Sequence, residues 1–511
     1  MKVKIITIIF LVTFLLVNSF DAVAQPAAIS NDEMYRPRIH FTPPANWMND
    51  PNGMVYHKGV YHLFYQYHPH SAVWGPMHWG HASSRDLVHW KHEPIALYPD
   101  SLGTIFSGSA VVDKYNTTGF GKNGLLPLVA IFTHHDSTGE KTGKKDFQVQ
   151  SLAYSIDEGK TWKKYRGNPV LKNPGITDFR DPKVIWYEPQ KKWVMTLATK
   201  DRISFYSSPD LKNWKKESEF GSEAGAHGGV WECPDLFPLE NNGKKIWVLL
   251  VSLNPGGPNK GSATQYFLGD FDGTVFTPTH TDTRWIDYGP DNYAGVTWSN
   301  TGNRKIFIGW MSNWLYANLV PTTAWRSAMT LPRELKLKQA GNTIFLSSEV
   351  VPEFAKMQAK PLVVQNLSVD KNVDLAAKTA KLSLPCRINL ELEKLNDFSL
   401  ILSNDLGEEL RVGFDKGQNQ YYIDRSRSGK IGFQKDFAAR HYAPRLTTHT
   451  KMQVSLYIDA SSIELFADEG LTVMTEIFFP NKPFSQFHLQ TPGKTSFKKI
   501  AYVKLKSTWL N

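Results

Sequence analysis

The chain has 511 residues, 41% of them hydrophobic and 13% aromatic, with a formal charge of +10 and two cysteines. That length and apolar fraction suffice for two or three packed cores and exclude a disordered chain. Two cysteines exclude a disulfide framework; the lysines and arginines are scattered, as in Lys144-Lys145 and Lys191-Lys192, and describe a solvated basic surface with no nucleic-acid footprint.

At the start, Lys2 and Lys4 lead into an apolar stretch, Ile5 to Val17, and then a small-residue site, Ala22-Val23-Ala24, ahead of Gln25. This is the layout of an export signal over residues 1–24, cleaved near Ala24/Gln25. The stretch is short for a membrane helix, and no later segment approaches the roughly 20 apolar residues a span needs. No cysteine adjoins the cleavage site to carry a lipid. The expectation is a soluble exported protein, periplasmic or extracellular, without a membrane span.

Beyond the signal, five motifs are each followed by a strand-like apolar run. They are Asn49-Asp50-Pro51-Asn52-Gly53 before Tyr61–Tyr67, Phe106-Ser107-Gly108-Ser109 before Leu128–Phe132, Arg180-Asp181-Pro182 before Trp193–Leu197, Trp231-Glu232-Cys233-Pro234-Asp235 before Ile246–Val251, and Tyr293-Ala294-Gly295 before Ile306–Trp310. The runs recur about every 60 residues, a repeat of the propeller type. A second element supports the blade count: Ser83 to Trp90 is echoed by Ser207 to Trp214, by Tyr154 to Trp162 and by Asp270 to Phe276. Each is an Asp-led turn followed by an aromatic, which predicts an outer hairpin packing its ring between blades.

The repeats end near Leu331-Pro332-Arg333-Glu334-Leu335. After about residue 355, alternating segments such as Phe398–Leu402 and Val454–Ile458 are separated by Asn, Asp and Gly turns without the longer period. This reads as a β-sandwich. The predicted fold is all-β: a five-bladed β-propeller over residues 36–350, a connector over 351–357 and a C-terminal β-sandwich over 358–511.

The first strand of every propeller blade lines the axis, so Asp50, Asp181 and Glu232 should converge there from three blades. Around the first motif, Trp47, Phe64 to Pro69, Trp74, Trp79 and His81 supply aromatic and polar surface. Trp, Asn, Gln and carboxylates together suit a neutral polyhydroxyl ligand, hydrogen-bonding its hydroxyls and covering its C–H faces. Arg180 should keep Asp181 ionised. Glu232, between Trp231 and Cys233 and facing two other acids, should have a raised pKa, the division of labour glycosidases use. Cys233 has no Cys/His/Asn set around it and reads as packing. His134-His135-Asp136 lacks a third convergent ligand and reads as polar loop surface rather than a metal site.

These ordered motifs, with Phe179-Arg180-Asp181-Pro182, Ile308 to Trp314, Leu331 to Leu335 and Ser461 to Phe466, resemble the signature set of family 32 of the glycoside hydrolases, the β-fructosidases. The resemblance covers nearly the whole chain after the signal and implies a five-bladed propeller joined to a sandwich. It implies Asp50 as nucleophile, Glu232 as acid/base, Asp181 as transition-state stabiliser, and Asn49, Gln66, Trp74, Phe106, Ser107, Arg180, Tyr293 and Trp310 as the fructose-binding set. The chemistry it implies is retaining hydrolysis through a covalent fructosyl-enzyme, with no metal or cofactor and with a fructan or fructo-oligosaccharide as partner. The stretch Trp298 to Leu335 is most similar to bacterial exo-acting levanases and inulinases, which implies release of terminal fructose from levan or inulin, with sucrose secondary. Endo-cleavage and fructosyl transfer are alternatives on the same fold. An inverting arabinan- or xylan-cleaving propeller is an alternative enzyme, and a fructan-binding protein without turnover is the alternative from another class.

Overall fold

A computed structural model describes residues 33–509; the expected export signal lies outside the described residues. The chain is built almost wholly from antiparallel strands, with one short α-helix, Ser137–Lys141, among the described residues. Five sheets of the first domain each begin on one of the sequence motifs. Their inner strands are Asn46–His57, Thr104–Val112, Phe179–Tyr187, Val230–Asn241 and Tyr293–Thr297. Each pairs with the apolar run that follows it, and every sheet then steps outward to its last strand.

This order explains the repeat. The second strands are covered on both faces, so Leu128–His135 and Ile306–Met311 are buried at every position, and a strand buried on two faces must be a continuous apolar run. The outermost strands face water: Lys215–Phe220 buries only its last residue. The ring closes where Tyr56 N donates to Ser299 O and Ser299 N to Met54 O, and where Trp325–Arg326 pairs in parallel with Asn46-Trp47.

The Asp-led turns join the third and fourth strands of four blades. Asp86, Asp157, Asp210 and Asp272 each accept from backbone amides two to four residues ahead. Each is followed by a left-handed residue: Leu87, Glu158, Leu211 and Gly273, with φ between 63° and 94°. The hairpin aromatics pack back toward the preceding blade. Trp90 stacks on Trp298 at 6.1 Å, Trp162 meets Phe64 edge-on at 5.3 Å, and Phe276 meets Phe220 at 5.1 Å.

After Thr343–Val350 a 3-10 turn, Pro352–Met357, buries Phe354 and Met357. Two six-stranded sheets follow, in strand order Leu362–Val369, Thr495–Lys504, Cys386–Leu392, Met452–Ile458, Ser462–Ala467, Thr472–Ile477, and Asn372–Asp374, Gln486–Gln490, Phe398–Ser403, Glu409–Asp415, Gln420–Arg427, Arg440–Pro444. Their facing apolar residues form one core, the sandwich expected from the alternation. The two domains meet through buried charge. Arg333 bridges Asp287 at 2.9 Å and Glu464 at 2.6 Å; Arg425 reaches Asp291 at 2.6 Å; His40 lies between Asp459 at 2.8 Å and Glu464 at 2.9 Å.

Candidate active site

The inner strands are irregular where the motifs lie. Their ladders shift register between Met48 and Pro51, Ile105 and Gly108, Glu232 and Asp235, and Tyr293 and Val296, and the third blade shifts opposite Thr196 and Ala198. Proline supplies no ladder donor, and Pro51, Pro182 and Pro234 stand just behind the acids, so a bulge is the local solution. Asp181, Cys233 and Ala294 take left-handed backbone there, with φ of 64°, 45° and 54°. Bulges re-aim side chains. They turn Asp50, Asp181 and Glu232 into one cavity of about 320 Å³ at the head of the central channel.

Asp50 is held by two donors, Ser107 Oγ at 2.9 Å on Oδ2 and Asn49 Nδ2 at 3.1 Å on Oδ1. Asn49 is itself oriented by Trp47 Nε1 at 2.8 Å. Asp181 Oδ2 accepts from the Cys233 amide at 3.0 Å, and its own amide donates to Thr133 Oγ1 at 3.1 Å. The Cys233 thiol lies between the two aspartates, 3.6 Å from Asp50 Oδ2 and 3.6 Å from Asp181 Oδ2. Glu232 Oε1 accepts from Arg180 at 2.8 and 3.1 Å, and the Tyr293 hydroxyl donates to its Oε2.

Arg180 favours ionised Asp181 by its charge, as expected, but burial outweighs it, and its hydrogen bonds go to Glu232 and, at 2.5 Å, to Asp178. Adjacent strand residues project to opposite sides, and the bulge at Asp181 turns its carboxylate toward blade four's backbone while Arg180 reaches across the mouth. Burial pushes the Asp50 carboxyl up to about 6, and the charge of Glu232 adds to it against the Ser107, Asn49 and Cys233 donors. Asp181 is also raised, by burial first; Arg180 opposes the shift, and the charges of Glu232 and Asp50 reinforce it. Asp50 and Asp181 therefore hold their protons to higher pH than ordinary carboxylates do. Burial, with the three carboxylates around it, holds the Cys233 thiol well above its usual range, so it is a weak donor here and no thiolate nucleophile.

Of the eleven residues singled out from the sequence, nine line this cavity: Asn49, Asp50, Gln66, Trp74, Phe106, Ser107, Arg180, Asp181 and Glu232. Gln66 is 2% exposed, and its Nε2 finds no protein acceptor, an unspent donor at the wall. Trp74 and Phe106 meet edge-on at 6.3 Å, an aromatic lip. Tyr293 stands behind the wall and acts on Glu232. Trp310 does not reach the cavity: it belongs to a fully buried second strand, donates to Met48 O at 3.1 Å and packs against Trp314 at 4.9 Å. It is Trp314, in the loop that follows, which lines the pocket.

Sequence reasoning missed His135, Glu140, Gln148, Asp178 and Trp314. Of these, Asp178 carried a signal, lying two residues before Arg180 and so on its side of the chain. His134 and His135, read as loop surface, are buried on the second strand of blade two, and His135 stacks flat on Phe106 at 4.2 Å and 3°.

Comparison with known proteins agrees with this geometry. Residues 40–348 match the N-terminal domain of the glycosyl hydrolases family 32, and residues 353–504 match its C-terminal domain. A levanase of Bacillus subtilis is 45% identical over all of this chain and 76% of its own length. The solved exo-inulinase of Aspergillus awamori superposes with a TM-score of 0.86 at 37% identity, covering 94% of this chain and all of its own. A fructofuranosidase of Schwanniomyces occidentalis, solved with fructosylnystose, gives 0.85 at 31%, covering 95% of this chain and all of its own. The protein is a glycoside hydrolase, and its chain belongs to family 32.

Proposed function

We propose that this enzyme removes terminal β-D-fructofuranosyl residues from fructans such as levan and inulin, and from sucrose, with retention of configuration. The observation that carries the reading is a single pocket of about 320 Å³ into which Asp50 and Glu232 both point from different blades. That is at the small end of ligand pockets and suits a chain end rather than a chain passing through.

In this reading Asp50 attacks the anomeric carbon of the bound fructosyl unit while Glu232 gives its proton to the departing glycosidic oxygen. A bond forms to Asp50 as the bond to the leaving sugar breaks. Glu232, now a base, takes a proton from water, whose oxygen displaces Asp50 and restores the original configuration. Asp50 is pre-aimed by Ser107 and Asn49; Glu232 is pinned by Arg180 and Tyr293, so neither carboxylate must search for its position. Asp181, fixed by the Cys233 amide, accepts from sugar hydroxyls, and those contacts tighten as the ring flattens toward an oxocarbenium ion. Asn49, Gln66, Arg180 and the Trp74–Phe106 lip bind the same unit.

Export supports a polymeric substrate. Curated relatives carry the name extracellular exo-inulinase, the first residues have the layout of an export signal, and no described helix is long and apolar enough to cross a membrane. The test is product analysis on levan, inulin and sucrose, with the anomer followed by NMR. Free fructose as the first product, released as the β-furanose, is the expected result. Early oligosaccharides would show endo-cleavage, and an inverted product would overturn the roles given to Asp50 and Glu232.

A further inference from the structure

The central channel has a second mouth. The inner strands that present the acids at one end continue to the other, and there they enclose a larger cavity of about 540 Å³. Two residues along from Asp181 is Lys183, and three along from Glu232 is Asp235; both are buried, and the lysine Nζ lies 3.1 Å from Asp235 Oδ2. That same oxygen also accepts from the Thr297 amide at 2.6 Å and its hydroxyl at 2.7 Å. Asp235 Oδ1, by contrast, has no partner in a side chain that is 0% exposed. An unpaired buried acceptor is costly to leave without a donor, and the catalytic reading makes no use of it.

Around this acceptor the cavity has the make-up of a sugar site. Lys305 offers an ammonium whose protein bond is a long 3.4 Å contact to Gly302 O. Toward solvent the wall is aromatic: Trp186 and Tyr115 lie 5.0 Å apart, and Tyr115 is 58% exposed. A carboxylate oxygen that needs a donor disfavours an anion. An ammonium beside it that needs an acceptor disfavours a purely apolar guest. A hydroxyl satisfies each, and ring C–H faces pack on indole and phenol.

We propose that the far mouth of the channel is a second, non-catalytic carbohydrate site, in which sugar hydroxyls donate to Asp235 Oδ1 and accept from Lys305 while the ring rests on Trp186 and Tyr115. Resting on the fructanase reading above, the occupant is a fructosyl unit of the polymer, held while a chain end is cut at the opposite mouth. Two sites on one rigid ring raise residence on a polymer without any new contact at the catalytic centre.

The test is affinity electrophoresis through gels containing levan or inulin, run with Glu232→Gln so that the polymer stays intact. Adding Lys305→Met and Trp186→Ala should weaken retardation severalfold, and the same pair in the active enzyme should raise KM on polymer while leaving kcat/KM on sucrose unchanged. Tyr115→Ala, at an exposed side chain, keeps the test open if the pair misfolds, and should give a smaller loss. Free fructose is the second probe, read by tryptophan fluorescence with and without Trp186→Ala. A Trp186-dependent signal with unchanged gel retardation would assign the site to free sugar and overturn the polymer as occupant. Unchanged retardation and no fluorescence signal would overturn the site itself. Failure of the fructanase reading is distinguishable, because it would appear as no fructose from any fructan in the unsubstituted enzyme.

Discussion

The molecule buries charge in two places and handles it in opposite ways. At the junction of propeller and sandwich every acid of the cluster meets a cation: Asp287 and Glu464 meet Arg333, Asp291 meets Arg425, Asp459 meets His40, and Glu476 lies 3.7 Å from Arg425. Burial alone would raise Glu464, but Arg333 and His40 outweigh it and hold it below its usual value. In the funnel, three carboxylates lie near one Arg180, which bonds Glu232 among them and Asp178 besides, and Asp50 and Asp181 are pushed up. The paired cluster fixes two domains; the unpaired one is held in place against its own repulsion, the arrangement acid/base chemistry needs.

Substitution should separate the two sharply. Asp50→Asn removes the nucleophile, and turnover on any fructoside should fall by about 10⁴-fold or more. Its fold should gain. A folded-state value raised to about 6 means the native protein binds the proton more tightly than the unfolded chain, so stability falls as pH rises through roughly 4 to 6. The amide escapes this, and with Asp50 partly open to the funnel the gain above pH 6 should be on the order of 1 to 3 kcal/mol, read as a higher thermal midpoint. Arg333→Met should do the reverse: it strands Asp287 and Glu464 in the interface and should cost about 3 to 5 kcal/mol, while the kcat of the protein that remains folded is unchanged. Equal effects of both substitutions on activity would break the contrast.

His40 sharpens it by pH. Burial works against its charge, but Asp459 and Glu464 outweigh that and raise it to about 9. Its contribution is complete below the unfolded value of 6.5 and disappears as pH rises through about 9. The stability difference between the native protein and His40→Gln should be up to about 3 kcal/mol at pH 6 and shrink steadily toward pH 9. The funnel gives the opposite limb: kcat/KM needs ionised Asp50 and should fall as pH drops through about 6, above the ordinary carboxylate range.

How much of each region could be read from the chain follows from the same difference. The funnel was legible because its acids sit beside prolines at the start of a repeat whose second strands must be apolar on both faces. Asp50, Asp181 and Glu232 could be brought together from that pattern before any coordinates. Side-chain direction was not legible there. A bulge decides that Arg180 serves Glu232, and strand burial decides that Trp314, not Trp310, reaches the cavity. The interface was hardly legible at all: Arg333 and Glu464 each stand in a recognised motif, yet they are 131 residues apart and nothing in one sequence pairs them.

The two cysteines supply the smallest effect and the cleanest control. Cys386 is buried in the sandwich core, far along the chain from any acid of the funnel, and Cys386→Ala should change stability without moving the pH profile. Cys233 is one of three side chains that lower Asp50 by hydrogen bonding, against burial and Glu232. Cys233→Ala removes that weak donor from Asp50 and Asp181 together, so both should bind protons more tightly. The acid limb of kcat/KM should move upward by up to about half a pH unit, since a long S–H contact is worth less than an ordinary hydrogen bond. At pH 5 the rate should drop about threefold and at pH 7 by only about a fifth, and at pH 8, where Asp50 is ionised in both proteins, the two rates should be nearly equal. A loss of equal size at every pH would mean that Cys233 matters only for packing, and that the thiol does not tune the carboxylates it touches.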